Sequence, residues 1–282
     1  MQGASQDESG ETTGGYRAVE EIAGRADAGV LFICDHASNA LPPEYGTLGL
    51  AASEFDRHIA YDIGAADVTR ALAKRFNAPA VLSCFSRLLI DTNRGGDDPT
   101  LVMRISDGSI IPGNARVDEA EVDRRRSRFW QAYREAVGRK IDEMSAAGPL
   151  PAIVSMHSFT PVWRGAPRPW KLGLLWDLDR RLAVSLLDAL VAAGHENVGD
   201  NEPYDGALVG DTMYEHGTRR GLAHVLIELR QDLIGTREAA EVWAGQLAGP
   251  LAKALARPEM HRAEFYGSRA GTSFRPRLTE GK

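Results

Sequence analysis

Short apolar runs alternate along this chain with longer segments of helical periodicity, and this alternation constrains the fold more than any other feature. Residues 30–34 form a continuous apolar run, as expected of a strand that is buried on both faces. Further strands are predicted at 80–84, 151–156, 172–176 and 224–228, and helices at 53–76, 117–144, 179–193, 211–220 and 236–256. The pattern predicts an α/β fold with a mixed, largely parallel central sheet between layers of helices.

The size and composition of the chain favour one large domain that binds small molecules. With 282 residues, 43% of them hydrophobic, the chain can bury a sizeable core, and a single α/β domain is predicted over residues 16–260. Residues 1–15 are polar and glycine-rich, which predicts a disordered tail, and residues 261–282 predict a loosely held basic tail. The net charge of −6 leaves no basic stripe for nucleic acid, so the expected partner is a small molecule.

Two features of the sequence bear on the compartment. The cysteines Cys34 and Cys84 lie in apolar strand-like runs, which indicates reduced core thiols rather than a disulfide or a cysteine-based metal site. Neither a signal-peptide pattern nor a run of about 18 apolar residues occurs in the sequence. We therefore expect a cytoplasmic protein that does not act on a membrane.

Chemically active side chains follow the predicted strands at the points where those strands end. In open α/β sheets, ligands bind at the carboxyl ends of the strands. The polar residues at four such ends are His36, Arg87 with Asn93 and Arg94, His157, and Glu228. Two histidines, a carboxylate and two arginines in one place are what a zinc hydrolase of acidic substrates requires. A glycine-rich dinucleotide motif and a P-loop are both absent from the sequence, which removes two competing classes.

Each of these groups has a distinct task in such an enzyme. Neutral imidazoles bind zinc, zinc lowers the pKa of water to about 7, and a carboxylate accepts the proton. Arginine stabilises an oxyanion or binds a substrate carboxylate in two-point geometry. Structural alternatives are an ion-pair network between the arginines and Asp91, and a mutually satisfied pair of His58 and Asp62. His58 and Asp62 could equally support a metal ligand or supply one.

Three segments of the sequence together resemble the N-formylglutamate amidohydrolase family. They are Asp-His-Ala-Ser-Asn at 35–39 with Pro42, Ser-Arg-Leu-Leu-Ile-Asp-Thr-Asn-Arg at 86–94, and Ile-Glu-Leu-Arg-Gln-Asp-Leu at 227–233. This similarity extends over most of residues 30–250. The same segments also resemble the wider zinc carboxypeptidase and aspartoacylase superfamily. It implies a three-layer αβα domain of the phosphorylase/hydrolase-like type, and a role in amino-acid catabolism such as histidine degradation.

The resemblance also implies roles for individual residues. Glu228 is similar to the catalytic glutamate of the superfamily, and Arg87 to the arginine that polarises the scissile carbonyl. Asn93 with Arg94 resembles the pair that holds the substrate carboxylate. The expected substrate is therefore a small acidic N-acyl amino acid.

The metal ligands that the resemblance implies are His36 and His157, and we expect them to bind one zinc ion. The first zinc motif of the superfamily is usually His-x-x-Glu, whereas this chain has the neutral Asn39 three residues after His36. We predict Asn39 as the third metal ligand. Alternatives are a weakly held, exchangeable metal, or a site completed by Asp35, Asp56 or Asp62.

These residues together predict a metal-dependent amidohydrolase that removes an N-formyl or short N-acyl group from an acidic amino acid such as N-formylglutamate. Glu228 would be the general base and then the proton donor to the leaving amine. One alternative is a carboxypeptidase-like or aspartoacylase-like hydrolase of another amide next to a carboxylate, which needs more space beside the metal. The other is a non-catalytic carboxylate-binding module, which metal content would distinguish from an enzyme.

Overall fold

The computed structural model describes residues 12–13 and 16–271, and its centre is a seven-stranded sheet with helices on both faces. The strands of this sheet are β1 Val19–Ile22, β2 Val30–Cys34, β3 Ala80–Ser83, β4 Ala152–Phe159, β5 Leu172–Leu175, β6 Val198–Asp200 and β7 His224–Arg230. The α-helices are α1 Ala65–Phe76, α2 Glu119–Arg125, α3 Ala132–Ala147, α4 Arg181–Ala192, α5 Thr212–His216 and α6 Arg237–Leu255. The predicted α/β fold with a mixed, largely parallel sheet between helices is confirmed.

The order of the strands brings the candidate residues to one edge of the sheet. The order is β6-β5-β7-β4-β2-β3-β1. The four central strands, β7, β4, β2 and β3, are parallel, and β1 lies antiparallel at one side. At the other side β5 is antiparallel to β7, and β6 is parallel to β5. Because the four central strands run in the same direction, their carboxyl ends meet, and Glu228 of β7 lies opposite His157 of β4.

Two apolar clusters fill the spaces between the sheet and its helices. On one face α1, α4 and α6 pack against side chains that include Val30, Phe32 and Cys34 of β2. On the other face α3 and α5 pack against Leu31 and Ile33 of the same strand. Successive side chains of a strand point to opposite faces of the sheet, so a strand covered on both faces has a continuous apolar sequence.

The helix predicted at 53–76 begins later than expected, at Ala65. Residues 52–56 form a short 3₁₀ helix, and Gly64 precedes α1 with φ of 80°. A Cβ atom at Gly64 would lie 2.1 Å from the carbonyl oxygen of Ile234, so this position requires glycine. As a result, Asp62 lies in the non-helical segment before α1 and not on a helix surface.

Several other elements differ from the sequence prediction. The helix predicted at 117–144 consists of α2, a π-helix at Arg126–Gln131 and α3. Strands β1 and β6 are not predicted, and neither are three pairs of two-residue strands, which are Thr12–Thr13 with Tyr16–Arg17, Ile105–Ser106 with Ser109–Ile110, and Val162–Trp163 with Ala166–Pro167. The 3₁₀ helices are Pro43–Tyr45, Ala52–Asp56, Pro112–Asn114, Thr218–Arg220, Gln231–Leu233 and Pro258–His261.

Most of the predicted N-terminal tail and half of the predicted C-terminal tail lie outside the described residues. Within the described part of the predicted C-terminal tail, Arg269 donates hydrogen bonds to Asp177 at 3.2 Å and to Asp205 at 2.7 Å. Residues 261–271 thus include specific contacts with the domain. Cys34 and Cys84 are both free thiols. In the described part of the chain, no helix has the length and apolar character needed to cross a membrane.

Candidate functional site

Three buried side chains form a group that can hold a metal ion. Ligand atoms of His36, Asp62 and His157 all lie within 4.8 Å of one another. Nδ1 of His157 lies 2.8 Å from Oδ2 of Asp62, and Nδ1 of His36 lies 3.4 Å from the same oxygen. Two imidazoles and a carboxylate are a ligand set that zinc commonly takes in enzymes, where a further coordination position stays open.

The fold brings these three side chains together from separate parts of the sequence. His36 follows β2 by two residues, and His157 lies near the end of the neighbouring strand β4. Asp62 approaches from the segment before α1, where its backbone N–H donates to the carbonyl oxygen of His36 at 2.9 Å. The Asp62 carboxylate also accepts a hydrogen bond from the backbone N–H of Ser158 at 3.3 Å. Backbone contacts therefore hold the carboxylate beside the two imidazoles.

Two further carboxylates orient the imidazole rings. Nε2 of His36 donates to Asp91 at 2.7 Å, and Nε2 of His157 donates to Asp35 at 2.9 Å. With the far nitrogen of each ring bonded to a carboxylate, Nδ1 of each ring faces Asp62. This arrangement is typical of metal-binding histidines, because the outer carboxylate fixes the ring and raises the basicity of the nitrogen that binds the metal.

Arg87 links two of these carboxylates. Its Nη1 donates to Asp62 at 3.3 Å, and its Nη2 donates to Asp91 at 2.9 Å. Burial would lower the pKa of Arg87, but the charges of Asp91 and Asp62 raise it, so the guanidinium stays charged. Arg87 also lines the cavity above the metal-binding group. The ion-pair network that the sequence left open is present, and it is compatible with a contact to a ligand.

The cluster has more negative charge than its arginine can balance. Burial would raise the pKa of Asp35, but hydrogen bonds and the charge of His157 lower it to about 2. Burial likewise opposes ionisation of Asp62 and Asp91, yet the histidines lower the first pKa and Arg87 with His36 the second. Three buried carboxylates therefore face one arginine. Protons on the imidazoles or a metal cation can supply the missing positive charge, so the residues fit a divalent metal ion.

Glu228 lies on the same cavity, and one of its oxygens has no partner. The cavity has a volume of about 450 Å³, and its lining includes Glu228 and the three members of the metal-binding group. Oε2 of Glu228 is buried and accepts no hydrogen bond from any described residue. Burial raises the pKa of Glu228 to about 7, although the charge of His157 opposes this rise. A carboxylate with such a pKa can both accept and donate a proton near neutral pH.

Comparison with known proteins shows the family of this chain. Residues 28–235 match the family model described as N-formylglutamate amidohydrolase. The chain belongs to the N-formylglutamate amidohydrolase family. The resemblance found in the three sequence segments is thereby confirmed. No curated protein matches the chain.

Two solved structures are similar to this chain. A gene product of Agrobacterium tumefaciens is 39% identical, with a TM-score of 0.80 over 85% of this chain and 95% of that chain. An N-formylglutamate amidohydrolase from Ralstonia eutropha JMP134 is 20% identical, with a TM-score of 0.60 over 84% of this chain and 97% of that chain. The second likeness shows a shared fold.

The two residues expected to bind a substrate carboxylate lie at this cavity. Asn93 and Arg94 both line it. The Arg94 guanidinium donates to the Thr100 hydroxyl and to the Asn93 carbonyl oxygen, and to no carboxylate of the described residues. Trp130 of the π-helix donates to the Arg94 carbonyl oxygen at 2.9 Å and thereby fixes the loop. The Asn93 side-chain oxygen accepts from the backbone N–H of Thr212 at 3.3 Å.

Asn39, the predicted third metal ligand, makes a hydrogen bond outside the group of His36, Asp62 and His157. Its side-chain nitrogen donates to the carbonyl oxygen of Phe55 at 2.8 Å. The group that can hold a metal contains Asp62, which the sequence left as an alternative ligand. Asp35, another alternative, bonds the far nitrogen of His157 instead. The outer partner Asp91 lies within the segment 86–94. From the sequence it was considered only as an ion-pair partner of the arginines, and its hydrogen bond to His36 was not predicted.

Proposed function

We propose that this chain is a metal-dependent amidohydrolase that removes an N-formyl or short N-acyl group from an acidic amino acid such as N-formylglutamate. The products would be formate, or another carboxylate, and the free amino acid. The observation that carries the proposal is the buried group of His36, Asp62 and His157 beside Glu228 in a single cavity. Membership of the N-formylglutamate amidohydrolase family supports the reaction class.

His36, Asp62 and His157 would hold the metal ion, and zinc is the ion that we propose because this donor set suits it. Polarisation of the scissile carbonyl and acidification of a water molecule are the chemistry that such an ion supplies when bound. Asp91 and Asp35 would keep the two imidazoles in the orientation that binding requires.

Glu228 would move the proton during hydrolysis. It would accept a proton from the attacking water and then donate it to the nitrogen of the amide. The C–N bond breaks, the acyl carbon keeps the oxygen of water as part of a carboxylate, and the amine leaves as the free amino acid. A pKa of about 7 suits both steps, because the same carboxyl group must be ionised first and protonated afterwards.

The arginines of the cavity would bind the negative charges of the substrate. Arg87 would donate to the carbonyl oxygen as negative charge develops on it. Arg94, together with Asn93, would bind the carboxylate of the amino acid, and the lack of a carboxylate partner within the described residues leaves its guanidinium available. Arg87 already pairs with Asp62 and Asp91, so its catalytic role would be additional to a structural one.

A second candidate is an amidohydrolase for a longer acyl group, of the aspartoacylase-like or carboxypeptidase-like kind. The cavity volume of about 450 Å³ supports this candidate, because a cavity within the roughly 300–1,000 Å³ of pockets that take drug-sized ligands has room for the amino acid and for an acyl group larger than formyl. A formyl group needs much less space. The two candidates share the metal group and Glu228, and differ in the acyl group that the cavity accepts.

The experiment is a hydrolysis assay with N-formylglutamate, N-acetylglutamate and a dipeptide that ends in glutamate. We expect formate release from the first substrate, loss of activity with a chelator, and recovery when zinc is added. Faster hydrolysis of the acetyl compound or the dipeptide would favour the second candidate. Hydrolysis of none of the three by protein that contains metal would leave a carboxylate-binding module as the function.

A further inference from the structure

Arg168 is a buried arginine that forms no ion pair with a carboxylate in the described part of the chain. Its exposed fraction is 8%. Of the other buried arginines, Arg125 pairs with Glu121 and Arg181 with Asp179, whereas Arg134 lies over the Trp130 ring and donates to the Gly210 carbonyl oxygen. Burying a cation without a counter-charge is costly. We therefore ask which neighbouring groups stabilise the charge of Arg168, and whether the charge serves to attract an anion from outside the chain.

Three aromatic rings surround the guanidinium of Arg168. Its central carbon lies 4.9 Å from the ring centroid of Tyr204, 5.3 Å from that of Trp163 and 5.6 Å from that of Phe159. The electron-rich faces of such rings attract a cation and replace part of its lost hydration. The backbone N–H of Arg168 donates to the carbonyl oxygen of Pro161 at 2.8 Å. The guanidinium also donates to the carbonyl and hydroxyl oxygens of Thr160 at 3.5 and 3.4 Å, so neutral groups hold it in place and no carboxylate of the described residues balances its charge.

The rings around Arg168 belong to the proposed catalytic cavity. Phe159, Trp163 and Tyr204 all line that cavity, together with Glu228, while Arg168 lies behind them. We call Phe159, Trp163 and Tyr204, with Arg168 behind them, the aromatic wall. The positive charge of Arg168, immediately behind the three rings, favours anions on the cavity side, because its attraction for an anion is only weakly screened in a buried environment.

The contact between Arg168 and Tyr204 directs the tyrosine hydroxyl. Nη1 of Arg168 donates to the Tyr204 oxygen at 3.0 Å, so the oxygen is an acceptor in this bond. The hydroxyl proton is then available for another acceptor. Burial and the charge of Glu228 raise the pKa of Tyr204, although the hydrogen bond from Arg168 opposes this rise. The phenol is therefore protonated at neutral pH and can donate a hydrogen bond to a ligand in the cavity.

We propose that Tyr204 donates a hydrogen bond to a second carboxylate of the substrate, and that Arg168 is a positioning residue that orients Tyr204 and provides positive potential for that carboxylate. The inference rests on the proposed function, in which Arg94 and Asn93 bind the first carboxylate. The substrate class is that of the proposed function, and the inference adds which residues recognise its second carboxylate. Tyr204 would contact the substrate, whereas Arg168 would act through Tyr204.

The test compares two substrates that differ by one charge, N-formylglutamate and N-formylglutamine. Arg168→Met removes the charge and the hydrogen bond, and Tyr204→Phe removes only the hydroxyl. Arg164→Met is the matched control, because Arg164 is exposed and its guanidinium lies 5.8 Å from the ring centroid of the same Trp163. Each protein is loaded with zinc, and kcat and KM are measured for both substrates.

We expect kcat/KM for N-formylglutamate to fall by about 10–100-fold in Arg168→Met and Tyr204→Phe, mainly through KM, because a hydrogen bond to a charged group is lost. The values for N-formylglutamine should change little, and the control should keep the wild-type ratio of the two substrates. A purely structural role for Arg168 would lower both substrates together. An unchanged ratio in both variants overturns the inference.

A binding measurement separates this inference from the proposed function. Dissociation constants for glutarate and for its monoamide are measured by calorimetry on the same zinc-loaded proteins. We expect wild type and Arg164→Met to prefer glutarate, and the other two variants to lose that preference. If wild type hydrolyses nothing but shows this pattern, the proposed function fails and the second carboxylate site stands. No preference in wild type overturns the inference. If Arg168→Met does not fold, Tyr204→Phe decides, since Tyr204 is 43% exposed.

Discussion

The floor of the cavity and its aromatic wall balance charge in opposite ways. The floor consists of the metal-binding group, its outer partners Asp35, Asp91 and Arg87, and Glu228, and there the buried carboxylates outnumber the arginine. In the wall, the buried Arg168 faces rings and no carboxylate of the described residues. The floor is therefore suited to a cation, and the wall is suited to the anion that we propose it binds. We infer that one cavity separates the binding of a metal from the selection of an acidic substrate.

The two regions also differ in what supports them. The histidines and Glu228 of the floor lie on, or within two residues of, central strands whose residues are buried and hydrogen-bonded to neighbouring strands. Trp163 lies on a two-residue strand pair, and Tyr204 lies on an irregular segment after β6. Groups on rigid elements keep the geometry that chemistry requires, whereas loops can vary with the ligand. Changes in the floor should therefore act on metal binding and kcat, and changes in the wall on KM.

Removal of a metal ligand from the floor is expected to have the largest effect. His157→Ala removes one of the three proposed ligands and deprives Asp35 of a hydrogen-bond donor. We expect metal affinity to fall by more than the roughly 10–100-fold that loss of an outer partner costs, with loss of hydrolysis. Elemental analysis after dialysis measures the metal. His58→Ala is the control, because His58 lines the cavity outside the group and should leave the metal bound. Full metal occupancy in His157→Ala would place the metal elsewhere.

The second prediction concerns Glu228, which shares the floor but is outside the metal group. Glu228→Gln keeps the shape of the side chain and removes its ability to accept a proton. We expect kcat to fall by about 10²–10⁴-fold, the usual contribution of a general base, while metal content and thermal stability stay close to wild type. A variant that keeps more than roughly a tenth of the wild-type kcat with metal bound would exclude Glu228 as the base.

A smaller effect is expected for the outer partner Asp91. Asp91→Asn keeps a hydrogen-bond acceptor for His36 but removes the charge that orients the ring and pairs with Arg87. We expect metal affinity to fall by about 10–100-fold. Asp107→Asn is the matched control, since Asp107 lines the same cavity and pairs with Arg57 at the rim. Equal losses of affinity in both variants would show a general effect of charge and remove the special role of the floor.

The floor was largely predictable from the sequence because buried strands have a strong signal. The continuous apolar run before His36 and the apolar residues around His157 and Glu228 predict adjacent strands, and parallel strands bring their carboxyl ends together. The sequence thus placed two histidines and a carboxylate at one edge before any distance was known. It could not choose Asp62, because that choice depends on a backbone contact to His36 across 26 residues and on the glycine that delays α1.

The wall was not predictable, and the reason is physical. The segment around Trp163 and Arg168 has no periodicity that predicts a strand or helix, and the segment around Tyr204 is also irregular. The side chains meet through cation–π contacts over 36 residues of sequence, as between Arg168 and Tyr204. Sequence identifies such residues only as parts of a proline- and tryptophan-rich loop. Their charge balance becomes visible once the distances are known.

The smallest of the expected effects concerns Asp211, whose pKa is shifted in the opposite direction from those of the floor carboxylates Asp35, Asp62 and Asp91. It is a buried carboxylate that lines the same cavity, but its oxygen accepts from the backbone N–H of Tyr214 at 2.6 Å and no ion pair with an arginine forms in the described residues. Burial raises the pKa of Asp211 from 3.8 to about 7, whereas the pKa of Asp35 falls to about 2. Partners, and not burial alone, thus decide which carboxylates of the cavity are ionised.

The raised pKa of Asp211 gives a prediction with a definite sign. The folded state binds the proton more tightly than the unfolded state, so this group's contribution to stability is complete below about pH 4 and is lost as the pH rises through about 7. Asp211→Asn keeps a residue that can cap α5 and does not titrate. We therefore expect Tm of the variant minus Tm of wild type to increase between pH 5 and pH 8 by at least roughly 2–4 °C, the shift that corresponds to about 1 kcal/mol in a domain of 150–250 residues.

Asp118→Asn is the matched control, because Asp118 caps α2 in the same way but is exposed. Thermal melts across this pH range measure both differences, and a difference for Asp211→Asn that stays as flat as that of the control would show that Asp211 is ionised in the folded protein throughout.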